Sequence, residues 1–262
     1  MKRRAWKWFK ETWLGRLYRH WDDNAVWPWQ QKRVRRAVDR AFSAPAALAL
    51  HRKIRIEGSW PGADDERPLL FAACDAGYFD RFGQYLAISS MMRSPGTRVH
   101  LHVYEPPPGF AARAQALESR WPGRLTISHE PAGRSSYRRP ITFYFAAGRF
   151  AIASRLRESI AAPIMMVDAD GLVVRDLADA FAEFSGASAG FIRQFDSVAP
   201  YRRILASAIY LGTDEVARDF FTRLGDAMEI ALKDRGRYHA DQIAAHYALE
   251  WWASRGRTLR LQ

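Results

Sequence analysis

From residue 69 onward, short apolar runs alternate with segments of helical period. "LLFAACD" (69–75) is a continuous apolar run that stops on an acid, and "FDRFGQYLAISSMM" (79–92) then repeats its apolar residues at steps of three and four. The same alternation predicts a strand at 98–106 and a helix at 111–121, a strand at 124–130 and a helix at 143–159, and a fourth strand at 162–170. Strands separated by helices of this length pair in parallel through right-handed crossovers. Beyond Gly171 the pattern predicts a helix in 176–184, strands at 188–193 and 204–212, and helices at 214–233 and 240–254. The expected fold class is α/β, a mostly parallel central sheet flanked by helices, occupying 69–262. Residues 1–60 read as a helical extension, and the Pro-, Gly- and charge-rich 61–68 as the linker between the two. Within the extension Trp6, Phe9, Trp13, Leu17 and Trp21 recur at helical spacing and mark one apolar face.

A chain of 262 residues, 48% of them hydrophobic, buries a full core and is not globally disordered. Its single cysteine, Cys74, excludes an internal disulfide and a cysteine-based zinc cluster, and favours a reducing compartment. No apolar run approaches the ~18 residues that mark a bilayer span, and the opening "MKRRAWKWFKETW" interleaves charge with Trp where a signal peptide would be apolar. A cytoplasmic protein is expected. The net charge of +12 is uneven, because residues 1–60 hold fifteen of the cations and five of the anions and the remainder is near neutral. Seven of the ten Trp lie in the same segment. A basic, Trp-faced helix suits the cytoplasmic face of an anionic membrane, and the alternative is that this face docks on the protein's own body. Nucleic acid is not an expected partner, since no groove-reading motif and no basic groove outside the extension accompany the charge.

Ligands of such sheets gather beyond the carboxyl ends of the strands. Two acidic positions fall there: Asp75 after the first strand, and Asp168 with Asp170 after the fourth. On an extended chain residues i and i+2 point the same way, so the two acids present oxygens to one point while Ala169 faces elsewhere. Hard cations such as Mg²⁺ or Mn²⁺ take oxygen ligands and keep positions open for water or phosphate, which makes the pair a clamp for a metal-bound diphosphate. "VDADG" also resembles the opening motif of haloacid-dehalogenase-type phosphatases, with Asp168 as nucleophile and Asp170 as general acid. That motif normally lies on the first strand of its core, whereas three strand–helix units precede it here. Its later acidic partner is represented only by "GDAMEI", with Ile230 in place of the second acid.

"FAACDAGYFDRFGQYLAISS" with "VHLHVY", "FYFAAGRFAIASRL" leading into "IMMVDADGLVVRDL", "ASAIYLG", and "HADQIAAHYAL" together resemble, in order and spacing, the GT-A nucleotide-sugar glycosyltransferases. The likeness is greatest to family 8, the group of glycogenin and the bacterial lipopolysaccharide galactosyltransferases, and covers about 69–249. The resemblance implies a transferase that moves a sugar from a nucleotide-diphosphate donor, with retention, to a saccharide, lipid-linked or protein acceptor, using Mn²⁺ or Mg²⁺. It implies that Ala72, Ala73 and Asp75 line the nucleotide pocket, with Asp75 accepting from the base and Tyr78 flanking it. Arg149 would reach the phosphates, Asp168, Ala169 and Asp170 would form the metal stretch, and Asp241 and Gln242 would meet the sugar. An ordinary helix N-cap is the other reading of Asp241. Ser207 stands where the family strand carries Asn. The chain ends at "TLRLQ" without the family's "HxxGxxKPW", whose His is a metal ligand, so His239 is the expected third ligand and His246 its alternate. A binding protein that keeps the fold without turnover is the competing expectation.

Overall fold

A computed structural model describes residues 27–131, 141–194, 203–234 and 239–261, so the Trp6–Trp21 face lies outside the described residues. Helix α1 (Trp27–Ser43) leads to a 3-10 turn at Leu50–Lys53 and a short strand β1 (Glu57–Gly58). Then follow β2 (Leu69–Asp75), an α turn at Ala76–Tyr78, a π turn at Phe79–Gly83 and helix α2 (Gln84–Arg93). After these come β3 (Arg98–Tyr104), α3 (Phe110–Glu118), β4 (Leu125–His129), α4 (Ile141–Ser159) and β5 (Ile164–Val167). The chain finishes through α5 (Ala178–Glu183), β6 (Ala189–Arg193), β7 (Ile204–Leu211), α6 (Glu215–Lys233) and α7 (Ala240–Ser254).

The seven strands form one sheet in the order β1-β4-β3-β2-β5-β7-β6. The pairs β2–β3, β3–β4 and β2–β5 are parallel, and β1–β4, β5–β7 and β6–β7 are antiparallel. Five strands therefore run one way, and only β1 and β7 oppose them. Strand parity divides the core in two. Leu69 and Phe71 face α1, α4, α6 and α7, whereas Leu70, Ala72 and Cys74 face α2 and α3. Helices α4 and α6 cross at Gly225, where a Cβ would stand 2.2 Å from Ser154 Oγ, so only glycine permits this approach.

Residues 27–60 are expected from the sequence in an extension ahead of a linker, and in the structure they pack on the globular body. Val34, Ala37, Val38, Ala41 and Phe42 make a buried stripe on α1 at three- and four-residue steps, within the same core cluster as α6 and α7. The Phe42 ring lies 5.7 Å from that of Phe220 and 6.1 Å from that of Trp252. Arg223 of α6 donates to the carbonyls of Ala41, Phe42 and Ala44, which supplies partners that a helix C-terminus lacks. Asp226 of α6 accepts the backbone N–H groups of Ala49 (3.0 Å) and Leu50 (2.7 Å) and bonds the His51 ring at 3.1 Å. Arg98 of β3 holds the 61–68 segment by donating to the carbonyls of Gly62, Asp65 and Arg67. No helix among the described residues is long and apolar enough to cross a membrane.

Candidate functional site

The strand order reverses between β2 and β5, and the carboxyl ends of these strands open into a cleft of about 380 Å³. Such a switch point is where open α/β sheets leave a crevice. Five elements bring side chains to it. The end of β2 and the turn after it supply Ala73, Asp75 and Tyr78, and α4 supplies Arg149. Beyond β5 stand Asp168, Ala169 and Asp170, with Ser207 beside them on β7, and the start of α7 brings His239, Asp241 and Gln242. One expected residue differs. Ala72 does not border the cleft, because it sits deeper along β2 than Cys74 and is buried in the α2-side core. Cys74, Phe145, Ala146, Leu205 and Ala206 also line the cleft and were not singled out by the sequence. Helical spacing before Arg149 points to Phe145 and Ala146, and strand parity with Ser207 points to Leu205.

The strand β5 is shorter than predicted, ending at Val167, but its pairing continues for one residue because Asp168 N–H donates to Ser207 O at 3.0 Å. Ala169 is buried while Asp168 is half-buried and Asp170 exposed, and residues 169–170 form a turn where the sequence suggests an extended segment. Gly171 N–H returns to Asp168 O at 3.4 Å and closes the turn. Asp75 accepts the Tyr78 N–H at 2.9 Å, capping the helical turn that follows it.

Arg149 is the electrostatic centre. It is buried on α4, with Nη1 donating to Asp168 Oδ1 and Nη2 lying 3.4 Å from Asp241 Oδ2. Burial works against its charge, yet the carboxylates of Asp241 and Asp168 outweigh that and raise its pKa above the ordinary value. Its Nε is buried with no hydrogen-bond partner among the described residues. Asp241 is not the N-cap of α7. His239 holds that position, at φ +67°, and Asp241 sits inside the first turn with its buried carboxylate turned to Arg149. Cys74 is inert: burial first, then Asp75 and Asp80, push its thiol up to about 12.

Asp168 and Asp170 supply an all-oxygen donor set, which fits a hard divalent cation whose other positions are left to water and phosphate. Among the described residues no group of three His, Cys, Asp or Glu side chains is placed to hold a metal, so His239 borders the cleft without completing such a set. His246 lies outside it, in the neighbouring groove, with Nε2 3.1 Å from Glu250 Oε1. Asp226, the acid of "GDAMEI", is fully buried at the His51 junction and gives the phosphatase alternative no second acid in the cleft.

No family model matches the chain, and no curated protein matches it. Solved structures do. The bifunctional glycosyltransferase WbbM, in its apo form, aligns with 73% of this chain and 39% of its own at 13% identity and a TM-score of 0.50. The glycosyltransferase GlyE of Streptococcus pneumoniae TIGR4 aligns with 69% of this chain and 42% of its own, at 16% identity and a TM-score of 0.44. The galactosyltransferase LgtC, solved with donor and acceptor sugar analogs, aligns over 68% and 69% at 17% identity and a TM-score of 0.45. This chain thus spans under half the length of the WbbM and GlyE chains. The likeness shows the fold, which is the GT-A fold of glycosyltransferases.

Proposed function

We propose that this chain is a glycosyltransferase that moves a hexosyl unit from a nucleoside-diphosphate donor to an acceptor hydroxyl, with retention at the sugar carbon. The observation that carries the reading is Arg149, buried between Asp168 and Asp241 at the switch point of a GT-A fold. Its planar guanidinium can grip phosphate oxygens with two parallel bonds, and its burial strengthens that grip. Asp168 and Asp170 would hold a Mn²⁺ or Mg²⁺ ion, whose charge supports departure of the nucleoside diphosphate. Asp75 has a second carboxylate oxygen with which to accept from the base, and the half-exposed ring of Tyr78 offers it a flank. Gln242 and Ser207, at the opposite wall, present an amide and a hydroxyl suited to sugar hydroxyls.

Release of nucleoside diphosphate from uridine- and guanosine-type sugar donors, measured with and without Mn²⁺, tests this. The expected result is Mn²⁺-stimulated release that Asp168→Ala or Asp170→Ala lowers at least a hundredfold, roughly the loss on removing one electrostatic contact to a developing charge. Neither release nor Mn²⁺-dependent nucleotide binding would end the proposal. Binding without release would favour the second reading, a binding protein that keeps the fold, for which the two-carboxylate donor set speaks.

A further inference from the structure

Beside the cleft the surface changes character. Tyr78, Phe82, Tyr85 and Met92 follow each other at steps of four, three and seven along the helical run from Ala76 to Arg93, and all four are exposed. The rings of Tyr78 and Phe82 are 5.2 Å apart. Ser89 Oγ accepts the Val173 N–H at 3.0 Å, which fixes the segment after Asp170 against this helix. Val173 is buried in the α2-side core, so its neighbours project outward. Leu172 is 63% exposed, Val174 79% and Met92 72%, and Leu172 and Val174 border a shallow groove. The shallow groove between helix and segment has Asp168, Asp170 and Ser207 in common with the cleft, so the apolar face runs up to the candidate reaction centre.

The exposed cations of this face stand beside the acids of the cleft, Asp168 and Asp170, which the proposed function gives to a cation. Arg81, Arg93 and Arg175 are exposed, and none takes part in an ion pair among the described residues. Of the other nearby acids, Asp80 pairs with Arg113, and Asp176 accepts from Ser94 Oγ (2.8 Å) and Ala178 N–H (3.0 Å). Exposed apolar side chains ringed by tyrosines and arginines match the layering of a bilayer surface. Aliphatic ends reach the acyl boundary, tyrosines stay at headgroup depth, and arginines meet phosphates. A contiguous exposed apolar patch of this kind marks an interaction site in a folded chain.

We propose that this face docks on a bilayer carrying anionic headgroups and turns the cleft toward acceptor hydroxyls displayed on that surface. The acceptor class, a lipid-borne saccharide or alcohol, rests on the glycosyltransferase reading; the docking does not. The test uses the full chain with a nitroxide on Met92→Cys, on Val174→Cys and, as control, on Glu215→Cys, which lies past the far end of β7. Cys74 is buried and stays unlabelled. On vesicles of phosphatidylcholine and phosphatidylglycerol in equal parts, labels at 92 and 174 should be reached by oxygen and shielded from an aqueous nickel complex, while the label at 215 stays in water. The triple variant Tyr85→Ser, Met92→Ser, Val174→Ser should lose vesicle affinity by roughly tenfold or more. Labels at 92 and 174 as wet as the label at 215 would overturn the docking, whether the chain sediments with the vesicles or not. So would shielding of those labels by self-association without lipid. Nucleotide release would be untouched by either result, so failure of the docking and failure of the transferase reading are separable.

Discussion

Arg149 and Asp241 are both nearly out of water, and each is tolerable there because of the other. Removing one partner of such a pair leaves a buried charge uncompensated, which costs more than the pair contributes. Arg149→Ala is therefore expected to lower stability by about 3 kcal/mol. The double variant with Asp241→Asn should recover most of it, read as urea midpoints in a double-mutant cycle. Strict additivity would mean that the two do not depend on each other. Asp168 is half exposed and should be cheaper to lose, so its replacement separates function from folding more cleanly. These charged positions were legible in the sequence because an acid or arginine next to an apolar run is conspicuous. Cys74, Phe145 and Leu205 were not, since an apolar side chain lining a cleft has the same pattern as one lining the core. Ala72 lies one pleat deeper along β2 than Cys74, which shares its face, and so is covered by the core before the cleft begins.

His51 joins three elements, with one ring nitrogen 3.1 Å from Asp226 on α6 and the other 3.1 Å from Glu158 on α4. Burial works to lower its pKa, but the hydrogen bonds to Asp226 and Glu158 outweigh this and raise it from 6.5 to about 8. A folded-state pKa above the unfolded one stabilises fully below pH 6.5, and that contribution fades as pH rises through about 8. It amounts to about 2 kcal/mol. Urea unfolding at about pH 6 and about pH 9 should show this loss in the wild type, and His51→Gln should flatten it. An unchanged slope would remove His51 as the cause. Periodicity alone located β2, β3, β4 and the helices from α2 onward to within a few residues. It left open the directions of β6 and β7, because the side chains of a strand do not encode the sense in which it pairs. The connection between them, 194–203, is shorter than the dozen or more residues of a parallel crossover, which favours the antiparallel pairing.

Across the molecule the same ambiguity hid the role of α1. Its period was readable, but Lys32, Arg33, Arg35, Arg36 and Arg40 dominate the segment, and nothing in the sequence says that α6 and α7 cover its apolar stripe. Because that stripe is core, Phe42→Ala should destabilise the whole chain by about 3–5 kcal/mol, the usual cost of a buried aromatic truncation. A cost near zero in urea denaturation would show α1 to be dispensable. The contact between Ala49 and Asp226 spans 177 residues, and the helices that cover α1 come late in the chain. During synthesis, α1 therefore leaves the ribosome long before α6 and α7 exist to receive it, and it docks late.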